Sequence, residues 1–265
     1  MRRFAWRRKI FVLRNKRHEP DLLQKVNAVH KAILMAAGRG MRISRTIGNT
    51  CKCTLDIGGV PLIRHTVQML LKYGIETHIV VGFNKGLIFK ALDGLPVIYH
   101  ENVFYSITNS LVSLWMARKE LTGNSVILGN ADVFWEDDIL TILLGETRDC
   151  VMLCDSSRIE EGDYLLNVQE GKVTAFGKGM DCHKANCEYV GLARVQGGFI
   201  SECKSQLEAM IAGQRHGDWW EQILYNMVQK RPIWATDIAG HFWAEVDFVE
   251  DYNRILEFIQ RRDKQ

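Results

Sequence analysis

At 265 residues, 47% apolar and 25% charged, the chain has ordinary globular composition and enough length for one sizeable core, and no apolar run approaches the ~20 residues of a membrane span. A net charge of +3 is too small to point to nucleic acid as a partner. Seven cysteines, an odd number without framework spacing and with no secretory signal ahead of them, fit reduced thiols in a cytoplasm.

The first 29 residues differ from the rest. "MRRFAWRRKIFVLRNKRHEP" mixes Arg and Lys with Phe4, Trp6 and the run Ile10 to Leu13. It reads as a basic extension, either solvated or packed as a helix on the domain, or as a weak membrane-surface contact through its basic and aromatic residues. The domain itself is expected over residues 30–265.

From His30 onward strands and helices alternate. "KAILMA" predicts a buried strand. "PLIRHTVQMLLKYG" predicts a helix with Pro61 in its first turn and Gly74 at its end. "THIVVGF" and "PVIYH" read as strands flanking a helix, "KGLIFKAL". "SLVSLWMARKEL" is helical, and "NSVILGNADVFW" is a strand that breaks into polar residues. "EDDILTILL" is a helix and "DCVMLCD" a strand. The second half changes character. "YLLNVQEGKVTAFGK" predicts a hairpin turning at Glu170-Gly171, and "EYVGLARV" a strand. Helices follow near "SECKSQLEAMIA" and "WWEQILYNMVQ". "RPIWATDI" and "HFWAEVDF" are strand-like, and "FVEDYNRILEFIQRR" closes the chain as a helix. The alternation predicts an α/β fold: an open, mostly parallel, Rossmann-like sheet flanked by helices, with a smaller β-rich insertion in the second half.

The most informative stretch is "AAGRGMR", Ala36 to Arg42, where the first strand opens into small residues and two arginines. Such a turn lets backbone N–H groups approach a phosphate. It is not a dinucleotide fingerprint, because Ile43 stands where a third small residue is needed. Nor is it a P-loop, because no Gly-Lys-Ser/Thr closes it. By itself a Gly-x-Gly turn also fits a plain strand–helix connection.

Ten positions after Arg42 comes Lys52, in "NTCKCTLDIGGVPLIRHTV". "MAAGRGMR" followed by "TCKCTLDIGGVPLI" resembles the signature of the nucleoside-triphosphate transferase superfamily that makes activated sugars and alcohols. "GNADVFW" and "WAEVDFVEDY" continue the match in the expected order, over about residues 31–258. "IYHENVFYSITNSLVSLWMARKEL" and "GDWWEQIL" look like the branch of bacterial phosphocholine cytidylyltransferases and related enzymes that make CDP-linked small alcohols or phosphonates.

The resemblance implies a reaction in which a phosphate or phosphonate oxygen attacks the α-phosphorus of a nucleoside triphosphate, CTP in this branch, and pyrophosphate leaves. Two polyanions must meet, so fixed positive charge, metal ions and positioning matter more than an acid–base pair. Arg42 would lie along the triphosphate, with a planar fork suited to bidentate phosphate contacts. Lys52 would place a point charge near the α-phosphate. The resemblance assigns Asp132 and Asp247 to Mg²⁺, with Glu245 as an alternative ligand; hard carboxylate oxygens suit that ion. The other reading of each aspartate is a helix cap. Cys51 stands where the family has proline, which leaves the approach to Lys52 less constrained. No second Cys or His pair near Cys51 and Cys53 has zinc spacing.

Nucleotide contacts are expected from Ala36, Ala37, Gly38, Gly40, Gly82, Asn109 and Ser110. Tyr105, Glu188, Tyr189, Trp219, Trp220, Glu221 and Trp243 fall in segments the family uses for the acceptor, and Lys178 matches a lysine near the acceptor phosphate. Aromatic rings beside carboxylates suit a cationic headgroup such as that of phosphocholine. A sugar- or cyclitol-phosphate, or an aminoalkylphosphonate, is the alternative acceptor. A nucleotide-binding regulatory domain is the alternative that involves no catalysis.

Overall fold

The structure is a computed structural model that describes residues 31–40, 48, 50–159 and 164–264. Arg42 and the whole basic extension, with its suggested membrane contact, lie outside the described residues. No helix among the described residues is long and apolar enough to cross a membrane.

Strand β1 (Lys31–Ala36) sits inside the sheet with β2 (Glu76–Val81) on one side and β4 (Ser125–Asn130) on the other, both parallel to it. β3 (Val97–Glu101) extends the β2 side. Alternation along β1 sends Ile33 and Met35 into one buried cluster and Ala32, Leu34 and Ala36 into another. A strand covered on both faces must be apolar throughout, which explains the unbroken run in "KAILMA". Helix α1 (Leu62–Lys72) covers one face with Ile63, Val67 and Leu70; Pro61 is its cap, and Gly74 at φ +70° turns the chain out of it. Helices α2 (Lys85–Ala91) and α3 (Ser110–Met116) complete the first half.

The sheet is mixed in its second half. Beyond β4 the order is β9 (Cys187–Gln196), β6 (Cys150–Asp155), β10 (Trp234–Asp237), β8 (Lys172–Lys178) and β7 (Tyr164–Gln169). β9 runs antiparallel to both β4 and β6. The reason is connectivity: β9 follows the β7–β8 hairpin without the crossover helix that a parallel return needs. That hairpin turns at Glu170 and Gly171, both at positive φ (51° and 73°), as a tight two-residue turn requires. β7 also pairs with the start of β9, so the hairpin joins the main sheet.

Helix α4 (Asp137–Gly145) follows the short strand β5 (Val133–Phe134), and α5 (Gly198–Ala212) follows β9. Two strings in the second half are shorter than their patterns suggest. "WWEQILYNMVQ" yields a one-turn helix, α6 (Gln222–Tyr225), and "HFWAEVDF" only the two-residue strand β11 (Ala244–Glu245). β11 pairs with β5, and the closing helix α7 (Val249–Arg262) packs Ile255 and Ile259 over this ribbon with Phe134 and Val246.

Candidate active site

The strand order β3-β2-β1-β4 reverses direction at β1, and the crevice beyond the carboxyl ends of β1 and β4 is where an open α/β sheet holds ligands. The two ends are tied together by the Ala131 N–H, which donates to the Met35 carbonyl at 3.1 Å. The glycine loop therefore leaves β1 directly beside Asp132.

Two glycines shape this corner. Gly40 has φ +59°, and a Cβ there would come within 2.8 Å of the Lys52 side chain, so the loop backbone lies against the lysine stem. Gly82 sits behind the loop: a Cβ would meet Tyr105 Cβ at 2.8 Å and both the Cβ and the carbonyl oxygen of Ala37 at 2.9 Å. The Phe83 N–H holds that same Ala37 carbonyl at 3.1 Å. Gly82 thus supports the loop from below. Arg39, the other arginine of the loop, lies over the rings of Phe83 and Tyr105, 5.8 and 5.7 Å from their centroids.

Lys52 opens a single 3₁₀ turn, Lys52–Thr54. Cys51 before it has φ −76° and ψ 133°, the conformation proline would impose, and its thiol donates to the Phe83 carbonyl at 3.1 Å. The missing proline is replaced by a side-chain anchor on the β2 loop. Burial pushes the Cys51 thiol up to about 11 and that of Cys53 well above its ordinary value, so neither is a ready thiolate.

Lys52 Nζ donates to Asp247 Oδ1 and lies 3.4 Å from Asp132 Oδ2. Burial alone would lower its pKa, but Asp132, Asp247 and Glu245 together hold the ammonium above its ordinary value. The ribbon explains how distant segments meet. Glu245 pairs with Val133, and the Val246 N–H donates to the Asp132 carbonyl at 3.0 Å, which places Asp247 beside Asp132. Neither aspartate serves as the helix cap that the sequence allowed. Glu136 precedes α4, and the Asp251 carboxylate accepts the Phe248 N–H at 2.8 Å at the start of α7. Burial, then Asp132 and Asp247, push the Glu245 carboxyl well up.

Lys52, Asp132 and Glu245 border a cleft of about 200 Å³. Ala36, Ala37, Gly38 and Gly40 form one wall; Lys52, Asp132 and Glu245 another; Tyr105, Asn109, Ser110 and Trp219 a third. Asn109 and Ser110 also brace it: Asn109 Nδ2 donates to the Gly217 carbonyl at 3.2 Å, and Ser110 Oγ accepts the Trp220 N–H at 3.0 Å. The sequence reading omitted Asn102 and Asn130, which line the same cleft. Asn102 holds the 102–113 segment through Thr108 Oγ1 (3.2 Å) and Ser113 Oγ (3.1 Å). Asn130 accepts from Trp220 Nε1 at 2.9 Å and donates to Glu221 Oε1 at 3.3 Å. Both asparagines stand inside motifs already singled out, where a polar residue at a strand end is the available signal.

The remaining acceptor candidates sit apart from the cleft lining. Of the expected aromatic residues, Tyr105 and Trp219 line the cleft, whereas Trp220 and Trp243 are core residues, 0% and 3% exposed, because each packs under a sheet face in its own apolar cluster. Trp243 Nε1 donates to Asp155 Oδ2 at 2.8 Å. Glu188 and Glu221 are buried, and Glu188 lies 3.8 Å from the Arg158 guanidinium. Lys178 Nζ is 5.5 Å from the Trp219 ring.

Residues 32–174, more than half of the chain, match the profile of the MobA-like NTP transferase domain. The chain belongs to this family of nucleotidyltransferases. It is 21% identical to choline-phosphate cytidylyltransferase of Streptococcus pneumoniae over 88% of this chain and 100% of that one. It is 28% identical to 2-aminoethylphosphonate cytidylyltransferase of Lancefieldella rimae over 83% of this chain and 89% of the relative. A solved structure of the CTP:phosphocholine cytidylyltransferase of Streptococcus pneumoniae has a TM-score of 0.69 at 20% identity, covering 87% of this chain and 99% of that chain. That likeness establishes a shared Rossmann-like α/β fold for this NTP transferase.

Proposed function

We propose that this NTP transferase is a Mg²⁺-dependent cytidylyltransferase that joins the CMP part of CTP to a small phosphorylated or phosphonylated acceptor with a cationic end, of the phosphocholine kind. The observation that carries the reading is the convergence of Lys52, Asp132 and Asp247 at the mouth of a glycine loop, beyond the carboxyl ends of β1 and β4. The cytidylyltransferase names of the two curated relatives favour cytosine.

In the reaction, an oxygen of the acceptor phosphate attacks the α-phosphorus, the bond from that phosphorus to the β-bridging oxygen breaks, and pyrophosphate leaves with the electron pair. The backbone of residues 37–40 would hold the phosphates, with Arg42 assigned to them by motif alone. Lys52 would offset negative charge as the two anions approach. The donor set fits Mg²⁺: two aspartate carboxylates and a nearby glutamate are hard oxygen donors, and all three act on the Lys52 ammonium. Asp132 and Asp247 would hold the ion. When bound, Mg²⁺ would neutralise phosphate charge and polarise the α-phosphoryl group.

The direct test is pyrophosphate release from CTP, UTP, ATP and GTP, with and without Mg²⁺, across a panel of small phosphorylated acceptors. The expected result is release that needs acceptor and Mg²⁺ and favours CTP. No acceptor-dependent release from any triphosphate refutes the reading.

A further inference from the structure

At the amino end of the sheet, away from the cleft, the fold gathers a second set of polar side chains. Lys31 opens β1, and His78, near the start of β2, is 1% exposed. In the register of the edge strand β3, His100 lies opposite Val80, so His78, two residues before Val80, shares its face. His78 Nδ1 is 3.0 Å from His100 Nε2. Glu120 ends the 3₁₀ turn Arg118–Glu120 that follows α3, and its Oε2 lies 3.8 Å from His78 Nε2. One ligand atom from each of His78, His100 and Glu120 falls within 4.8 Å of the other two.

The orientation of the rings adds to their closeness. Two nitrogens bound to one tetrahedral ion at about 2.0–2.1 Å stand roughly 3.3 Å apart, close to the spacing of the two imidazoles. The other side of the His78 ring is held by Glu76, whose Oε1 is 2.7 Å from His78 Nε2. A carboxylate that accepts the Nε2–H leaves the Nδ1 lone pair directed at His100, as metal-bound imidazoles are held. Without an ion, the His100 Nε2–H donates to that lone pair; with one, His100 keeps its proton on Nδ1 and both rings stay neutral. Lys31 Nζ is 2.6 Å from Glu120 Oε2, and also lies 3.6 Å from Glu76 and 3.5 Å from Thr122 Oγ1. The ammonium therefore keeps partners when an ion takes Glu120. The Lys31 and Glu120 side chains are 19% and 24% exposed, which gives an ion a path from solvent.

We infer that His78, His100 and Glu120 form a binding site for Zn²⁺, with Glu76 orienting the His78 ring and water completing the tetrahedron. Two imidazoles and one carboxylate suit Zn²⁺, whereas Mg²⁺ asks for an octahedron of oxygens. The ligands come from β2, from β3 and from the turn after α3. The ion would therefore clamp the edge of the sheet, where β2 is the sole strand partner of β3 among the described residues. The site lies at the amino ends of strands whose carboxyl ends carry the cleft, so the inference stands apart from the transfer reaction.

The test uses the full chain in a Cys182→Ser background with excess Mg²⁺. The substitution breaks the exposed Asp181–Cys182–His183 group, the other six cysteines are buried, and Mg²⁺ competes for the cleft carboxylates. Zn²⁺ affinity is read by competition with a chromophoric chelator, and Tm with and without Zn²⁺. One Zn²⁺ per chain and a higher Tm with the ion are expected in the background protein. His100→Gln and Glu120→Gln should each weaken binding by at least ~10-fold and abolish the rise in Tm. Lys31→Met should tighten binding, because it removes the cation that competes for Glu120; an ion-pair network with no metal role has no reason to gain affinity from that change. Absence of Zn²⁺ binding in the background protein overturns the inference, as do unchanged affinity and Tm rise in His100→Gln and Glu120→Gln. If those two variants do not fold, Lys31→Met decides, and unchanged or weaker binding there overturns it.

Discussion

Glu221→Gln is expected to stabilise the ligand-free protein at alkaline pH and to leave it almost unchanged in acid. Burial, partly offset by hydrogen bonds that include the one from Asn130, pushes the Glu221 carboxyl up to about 7 from an ordinary 4.5. Because the folded pKa is the higher one, the native state keeps a proton that the unfolded chain has released. Stability therefore falls as pH rises from about 4.5 to about 7, and the loss persists above that window. At about 1.4 kcal/mol per pH unit, the gap between those values amounts to roughly 3 kcal/mol. Glutamine has the same shape and does not titrate, so the variant should lack this slope. A chain of this size gains about 2–4 °C of Tm per kcal/mol. The variant should thus melt several degrees above wild type at pH 8 and within a degree or two of it near pH 5. Circular dichroism melts from pH 5 to 9 measure this directly. Parallel pH profiles for the two proteins, or a variant that melts lower at pH 8, would refute the argument that Glu221 is a buried, unsatisfied carboxylate.

Asp132→Asn and Asp247→Asn should each lower turnover by ~10²-fold or more with little change in far-UV circular dichroism; full activity in both, or indifference to EDTA, would remove them from the metal role. Gly82→Ala should cost about 1–3 kcal/mol of stability, because its Cβ would press on the Ala37 carbonyl and Tyr105, and an unchanged denaturant midpoint would show that the loop can move aside. Cys51→Pro should fold and keep most of its activity, since φ is already −76°; an inactive but folded variant would mean that the thiol anchor, not the backbone conformation, positions Lys52.

Much of the fold was legible in the chain's local patterns. The unbroken apolar run of "KAILMA", the helical spacing after Pro61 and the positive-φ pair Glu170-Gly171 are each set by a few neighbouring residues. The glycine loop, Lys52 and the two aspartates could be found because their motifs stand in a recognisable order, although nothing local says that Asp132 and Asp247 meet. Only the tertiary structure decided that. The β5–β11 pairing carries one segment to the other, and Lys52 then closes the group. The direction of β9 likewise depended on where a hairpin returns to the sheet. The tryptophans were the least legible. "GDWWEQIL" and "GHFWAEVD" show aromatic rings next to carboxylates, but a side chain's burial, and what covers its face, depend on elements packed from far along the chain. Packing took Trp220 and Trp243 into the core and left Trp219 at the cleft, and the same packing left Glu221 buried with one oxygen unmet. Sequence determines which groups are present and their local period; desolvation and charge balance arise only once distant segments share one low-dielectric interior.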